Sequence, residues 1–153
     1  LPVSPPQRVI SALSPLYDAL LPFGEPLVRV TAGALLLPHG AQKLFGLFGG
    51  YGIDATGQFF AAKLGLPASF ALVAGLIEFF GGLALVIGLA TRAVAALIAG
   101  MMAVAIFAVH LNNGLFWTSG GFEYPLMWGL VALSFVIRGG GRFSLDALIG
   151  REL

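Results

Sequence analysis

From Pro67 to Leu111 the chain carries only two charged side chains, Glu78 and Arg92. The flanking stretches 26–48 and 122–138 are almost as apolar. A helix of roughly 17 to 25 apolar residues spans a hydrocarbon core of roughly 30 Å. The chain of 153 residues is 58% hydrophobic and 10% charged, whereas a soluble domain is about 25% charged. A soluble fold of this size has too much exterior to hide that excess. The sequence therefore predicts an all-α integral membrane protein, a four-helix transmembrane bundle in a lipid bilayer.

Prolines and glycines place the spans at about 26–48, 67–88, 91–111 and 122–138. Pro26 and Pro67 suit first helical turns, Gly88 suits a helix end and Thr91 is the expected N-cap of the third span. Gly49 to Leu66 reads as a long loop. Ser144 is the expected cap of a short terminal helix. Residues 1–24 form a separate segment, ahead of a single domain over 25–153. They lack the continuous apolar core of a secretory signal and contain five prolines. Val9, Ile10, Leu13, Leu16, Tyr17, Leu20 and Leu21 lie on one helical face, which predicts a short interfacial helix that Pro15 breaks or kinks. Gly33, Gly40, Gly75, Gly81, Gly82 and Gly100 are expected where helices approach closely.

Lysine and arginine positions set orientation. With four spans, Arg8, Arg29, Arg92, Arg138, Arg142 and Arg151 share one side, and Lys43 and Lys63 the other. Both termini are thus expected in the cytoplasm of a bacterial inner membrane. Phe116, Trp117, Phe122, Tyr124 and Trp128 form an aromatic belt at the outer interface.

The absence of cysteine excludes disulfides, thiol exchange, cysteine-ligated iron–sulfur clusters and covalent haem. A net charge of +1 argues against nucleic-acid binding. There is no nucleophile elbow and no phosphate loop.

Ionisable groups inside a span each need an account. Arg29, one turn inside the first span, is expected to snorkel to the interface. Glu78 lies near the bilayer midplane, where it must be protonated, paired or facing a wet cavity. A buried structural hydrogen bond and a functional role are both open for it. His39, Gln42, Lys43 and Gly46 repeat at three- and four-residue spacing, forming one polar stripe expected to face inward; the alternatives are Lys43 snorkelling outward and His39 as a packing histidine. Pro38, just before them, frees a backbone carbonyl. His110, Asn112, Asn113, Glu123 and Tyr124 fall at the same outer depth. The expected result is a ligand pocket lined by His39, Gln42, Lys43, Glu78, His110 and Glu123, with Trp117 and Tyr124 as aromatic walls. Such a pocket suits a quinone, whose carbonyls need donors and whose reduction needs protons. A b-type haem is disfavoured because its two candidate ligands, His39 and His110, differ in depth. No spacing motif supports a metal site. Segments beginning at His39 and His110 share a later Gly-Leu-Phe and Gly-Gly-aromatic pattern, which either a two-helix repeat or chance explains.

Pro38-His39-Gly40-Ala41-Gln42-Lys43-Leu44-Phe45-Gly46 resembles the first-helix signature of the DoxX family of small membrane proteins. Leu76-Ile77-Glu78-Phe79-Phe80-Gly81-Gly82 followed by Gly88-Leu89-Ala90-Thr91-Arg92 is similar to its second helix and hairpin. His110 to Trp117, Gly120 to Pro125 and Gly141 to Asp146 also fit. The resemblance implies a four-helix membrane fold and an association with redox enzymes, without a catalytic assignment for any residue. Three functions follow as expectations. One is a redox-associated membrane subunit binding quinone or another lipophilic ligand. Another is a non-catalytic anchor or assembly subunit of a respiratory or dehydrogenase complex, with partner subunits or a second copy of the chain. The third is a small-solute or proton transporter.

Overall fold

A computed structural model describes residues 7–152. The amphipathic segment's first six residues lie outside that range. The described elements are α1 (Ser14–Leu20), α2 (Gly24–Phe45), α3 (Gly52–Leu64), α4 (Ser69–Ile87), α5 (Thr91–Asn113), α6 (Glu123–Arg138) and α7 (Leu145–Ile149). No strand occurs among the described residues. Helical turns run without a break over Ser11–Phe45, and this stretch, α4 and α5 are long and apolar enough to cross a membrane. The fourth expected span, α6, has 16 residues and reaches about 24 Å at about 1.5 Å per residue.

Several expectations about where helices begin and end fail, each for a local reason. Pro15 opens α1 rather than breaking it, because its missing N–H falls in the first turn where no helical partner exists. The supposed loop 49–66 contains α3, closed by Gly65 at φ +65°. Pro38 lies inside α2 without ending it, and Gly46 at φ +70° closes that helix.

α2 packs against α4, and α5 packs against α6. In the first pair there is no room for a Cβ where Gly40 meets the backbone of Phe79, or where Gly33 meets Gly82. Gly81 makes only ordinary contacts and Gly100 faces open space, so neither serves the close approach expected of it. The core comprises Ala32, Leu36, Leu85, Ala95, Ile98, Met102, Ala132 and Phe135. Larger apolar residues such as Leu97, Phe107, Leu130 and Ile137 point outward. Large apolar side chains on the outside, with glycines at the closest helix contact, suit a lipid solvent, where close packing rather than hydrophobic burial holds helices together.

One end of the bundle is locked by charge. Arg29 is 1% exposed and does not snorkel. Its Nη1 donates to Leu85 O at 2.6 Å and Val86 O at 2.8 Å, and its Nη2 to Phe143 O at 2.7 Å. The guanidinium thus ties the last carbonyls of α4, where helical partners run out, to the segment before α7. Arg92 Nη1 does the same for Val136 and Ile137 of α6, both at 2.6 Å. Thr91 is not the N-cap of α5. Asp146 reaches across from α7 and accepts from Ala90 N at 2.7 Å and Thr91 N at 2.8 Å. The short hairpin turn puts Ala90, at φ +46°, in the N-cap position, and its methyl has no acceptor to cap with. Ser144 does cap α7, accepting from Ala147 N at 3.1 Å.

Candidate functional site

The glycine contact between α2 and α4 also sets the position of the central ion pair. Gly40 rests on Phe79; Lys43 lies three residues further along the same face of α2, and Glu78 directly precedes Phe79. Lys43 Nζ lies 2.6 Å from Glu78 Oε2 and 2.9 Å from Oε1. Glu78 is 8% exposed. The π-helical turn Ile77–Gly81 contains it, and a second π turn, Ile106–His110, ends at His110. Such turns insert one residue into an α-helix and redirect the side chains that follow, and they occur frequently at functional sites.

Lys43, Glu78 and His110 line one cavity of about 460 Å³ between α3, α4 and α5. Its walls are otherwise apolar: Phe59 and Phe60 from α3, Val73 and Ile77 from α4, Leu97 and Met101 from α5. A desolvated ion pair adds little net stability, because the loss of hydration offsets the attraction. Its chemical consequence is a cation and an anion presented at an apolar cavity. His110 Nδ1 lies 2.6 Å from Gly120 O. A carbonyl can only accept, so Nδ1 carries the proton and Nε2 keeps the lone pair when the ring is neutral.

The remaining expected residues are placed elsewhere. Gln42 Nε2 donates to Phe48 O at 3.0 Å and holds the turn after α2. Glu123 Oε1 accepts from Trp117 N at 2.8 Å and fixes the loop before α6. His39 is exposed and meets Trp128 edge-on at 6.5 Å. Trp128 continues to Tyr124 at 6.3 Å, and Tyr124 stacks on Trp117 at 5.7 Å. These aromatics run along α6, with Trp128 Nε1 donating to Ala32 O of α2 at 3.3 Å. The polar stripe on α2 is therefore divided: Lys43 turns to Glu78, Gln42 to the following turn and His39 to α6. Among the described residues, no three His, Cys, Asp or Glu side chains gather as a metal site.

Sequence reasoning missed Phe59 and Phe60 because it missed α3. Ile53, Gly57, Phe60 and Leu64 do recur at helical spacing, but the glycines before them read as loop. The π turns leave no such trace in the residue pattern.

Three membrane-capable helices around a buried ion pair define a small helical membrane protein. The chain belongs to the DoxX family, which it matches over residues 25–111. It is 34% identical over 126 residues to a Bacillus subtilis protein named "Putative oxidoreductase CatD", covering 82% of this chain and 87% of that one. It is 34% identical over 128 residues to an uncharacterized Haemophilus influenzae protein, covering 82% and 90%. It is 30% identical over 139 residues to the Escherichia coli "Inner membrane protein YqjF", covering 84% and 94%. No solved structure matches the chain.

Proposed function

We propose that this protein is a redox-associated subunit of the bacterial inner membrane that binds a quinone, or a lipophilic carbonyl compound of similar shape, in the cavity between α3, α4 and α5. The observation that carries this reading is the convergence of Lys43, Glu78 and His110 on one apolar cavity. The Lys43 ammonium is the donor for a ligand carbonyl oxygen. Glu78 holds that ammonium in place and is the nearest proton acceptor to it. His110 Nε2 offers a further proton-exchanging position at the same cavity. The apolar walls take the ring and tail, and electrons come from a partner redox subunit. The names of the Bacillus subtilis and Escherichia coli relatives support a redox role and an inner-membrane location.

In this reading α2, α4, α5 and α6 all cross the bilayer, the residues before α2 lie at the interface, and both termini face the cytoplasm. Arg8, Arg29, Arg92, Arg138, Arg142 and Arg151 support that orientation through the excess of positive charge at one end.

Quinone binding to the protein in lipid nanodiscs tests the proposal. Glu78→Gln keeps the side-chain shape and one acceptor for Lys43. It is expected to weaken quinone affinity about tenfold, the scale of one charge-assisted hydrogen bond, with helix content by circular dichroism retained. A folded variant with unchanged affinity would sink the proposed site.

A further inference from the structure

A second cleft, of about 570 Å³, opens at the arginine-rich end, between the start of α2 and the end of α6. Its apolar part is formed by Leu21, Val28 and Phe135, and its charged part by Glu25, Arg138 and Arg142. The arginines here differ from Arg29 and Arg92, whose Nη groups bond backbone carbonyls. Arg138 is 59% exposed and only 3.5 Å from Glu25 Oε2, a long contact. Arg142 lies over the Phe143 ring at 5.1 Å and has no carboxylate within 4.0 Å among the described residues. Glu25 Oε1 is buried and accepts no hydrogen bond from any described residue.

We infer that this cleft binds a membrane phospholipid whose headgroup joins a phosphate to a hydrogen-bond donor, as ethanolamine and glycerol headgroups do. Guanidinium groups match phosphate oxygens through paired N–H donors, so the phosphate lies against Arg142 and Arg138. The headgroup's N–H or O–H donates to the Glu25 carboxylate, whose side chain is 22% exposed and lines the cleft. The acyl chain follows Leu21, Val28 and Phe135 into the hydrocarbon. Two cations and one carboxylate at the charged part complement this headgroup, and basic pockets between membrane helices bind lipid headgroups by the same physics.

The test uses the full chain in nanodiscs of phosphatidylcholine, doped separately with phosphatidylethanolamine or phosphatidylglycerol. Native mass spectrometry then counts the retained lipid. Choline carries a phosphate and a cation but no N–H or O–H donor. Ethanolamine and glycerol lipids are each expected to be retained about tenfold over phosphatidylcholine, the scale of one such hydrogen bond. Glu25→Met removes the acceptor and should bring the three lipids together. Arg142→Gln, at an exposed side chain with no hydrogen-bond role in the fold, should lower retention of all three about tenfold. Helix content of both variants is checked by circular dichroism. Equal retention of phosphatidylcholine by the unaltered protein would overturn the inference. So would undiminished retention in folded Arg142→Gln, or displacement of the lipid by inorganic phosphate, which would mark a free-anion site.

Discussion

Two charge clusters of this protein differ in what they bond to. At the arginine-rich end, Arg29, Arg92 and Asp146 bond mainly to backbone: carbonyls at the ends of α4 and α6 and before α7, and N–H groups opening α5, with Arg92 also paired to Glu152. Midway along the bundle, Lys43 and Glu78 bond to each other beside a cavity. Backbone groups at a helix end have no alternative partner inside a membrane, so the first cluster is part of the fold. The ion pair closes no helix end, and its partners can be exchanged for those of a ligand. Burial alone does not distinguish a structural charge from a functional one.

The largest test of that contrast is Arg29→Ala. It removes three hydrogen bonds and is expected to cost about 3 kcal/mol, at roughly 1 kcal/mol for each, read as a lower melting temperature in detergent. Arg29→Lys should recover only part, because an ammonium lacks the fork that reaches carbonyls on two segments. Glu78→Gln should cost clearly less in the same melt. If it costs as much as Arg29→Ala, the ion pair is structural and the contrast collapses.

A smaller effect is expected at Asp146, where it reads as pH dependence. Burial pushes its carboxyl up, but hydrogen bonds from Thr91 and Ala90 and the charge of Arg29 outweigh that and hold it below the usual carboxylate range. The unfolded chain therefore takes up this proton first as pH falls. The stabilisation is fully present above the ordinary aspartate value of about 3.9 and is lost as pH drops from there through the lower folded value. Asp146→Asn should flatten that acid limb and cost roughly 1–2 kcal/mol at neutral pH. An unchanged acid limb would remove Asp146 from the lock. Ala90→Gly is the smallest change: relief of the left-handed conformation at φ +46° should raise stability by about 1 kcal/mol. A loss would show that the alanine methyl packs usefully in the turn.

Much of the architecture was legible because lipid imposes a simple pattern. Apolar length located α2, α4, α5 and α6 to within a few residues, and the Ser144 cap was readable from residue type. The helix α3 was hidden because its glycine-rich approach carries a stronger local signal than its short periodic face. Arg29 was misread for a different reason. Snorkelling and helix capping use the same residue at the same depth, and only the position of the neighbouring helix end distinguishes them. The candidate site was legible as a set of unusual polar residues, but not as a grouping. Spacing placed His39, Gln42 and Lys43 on one stripe, whereas each turns toward a different neighbour.

The sequence by itself determined that this chain is a helical membrane protein and that Glu78 must be protonated, paired or facing a wet cavity, because the cost of burying polar groups in hydrocarbon holds whatever the packing. Only the tertiary structure decided that the partner is Lys43, that His110 joins them at one cavity, and that Asp146 caps a helix 55 residues away from it at Thr91. Those pairings follow from where α2 and α4 touch through Gly40 and Phe79 and from how the last residues fold back. Such contacts between distant segments leave no periodic trace in either sequence stretch.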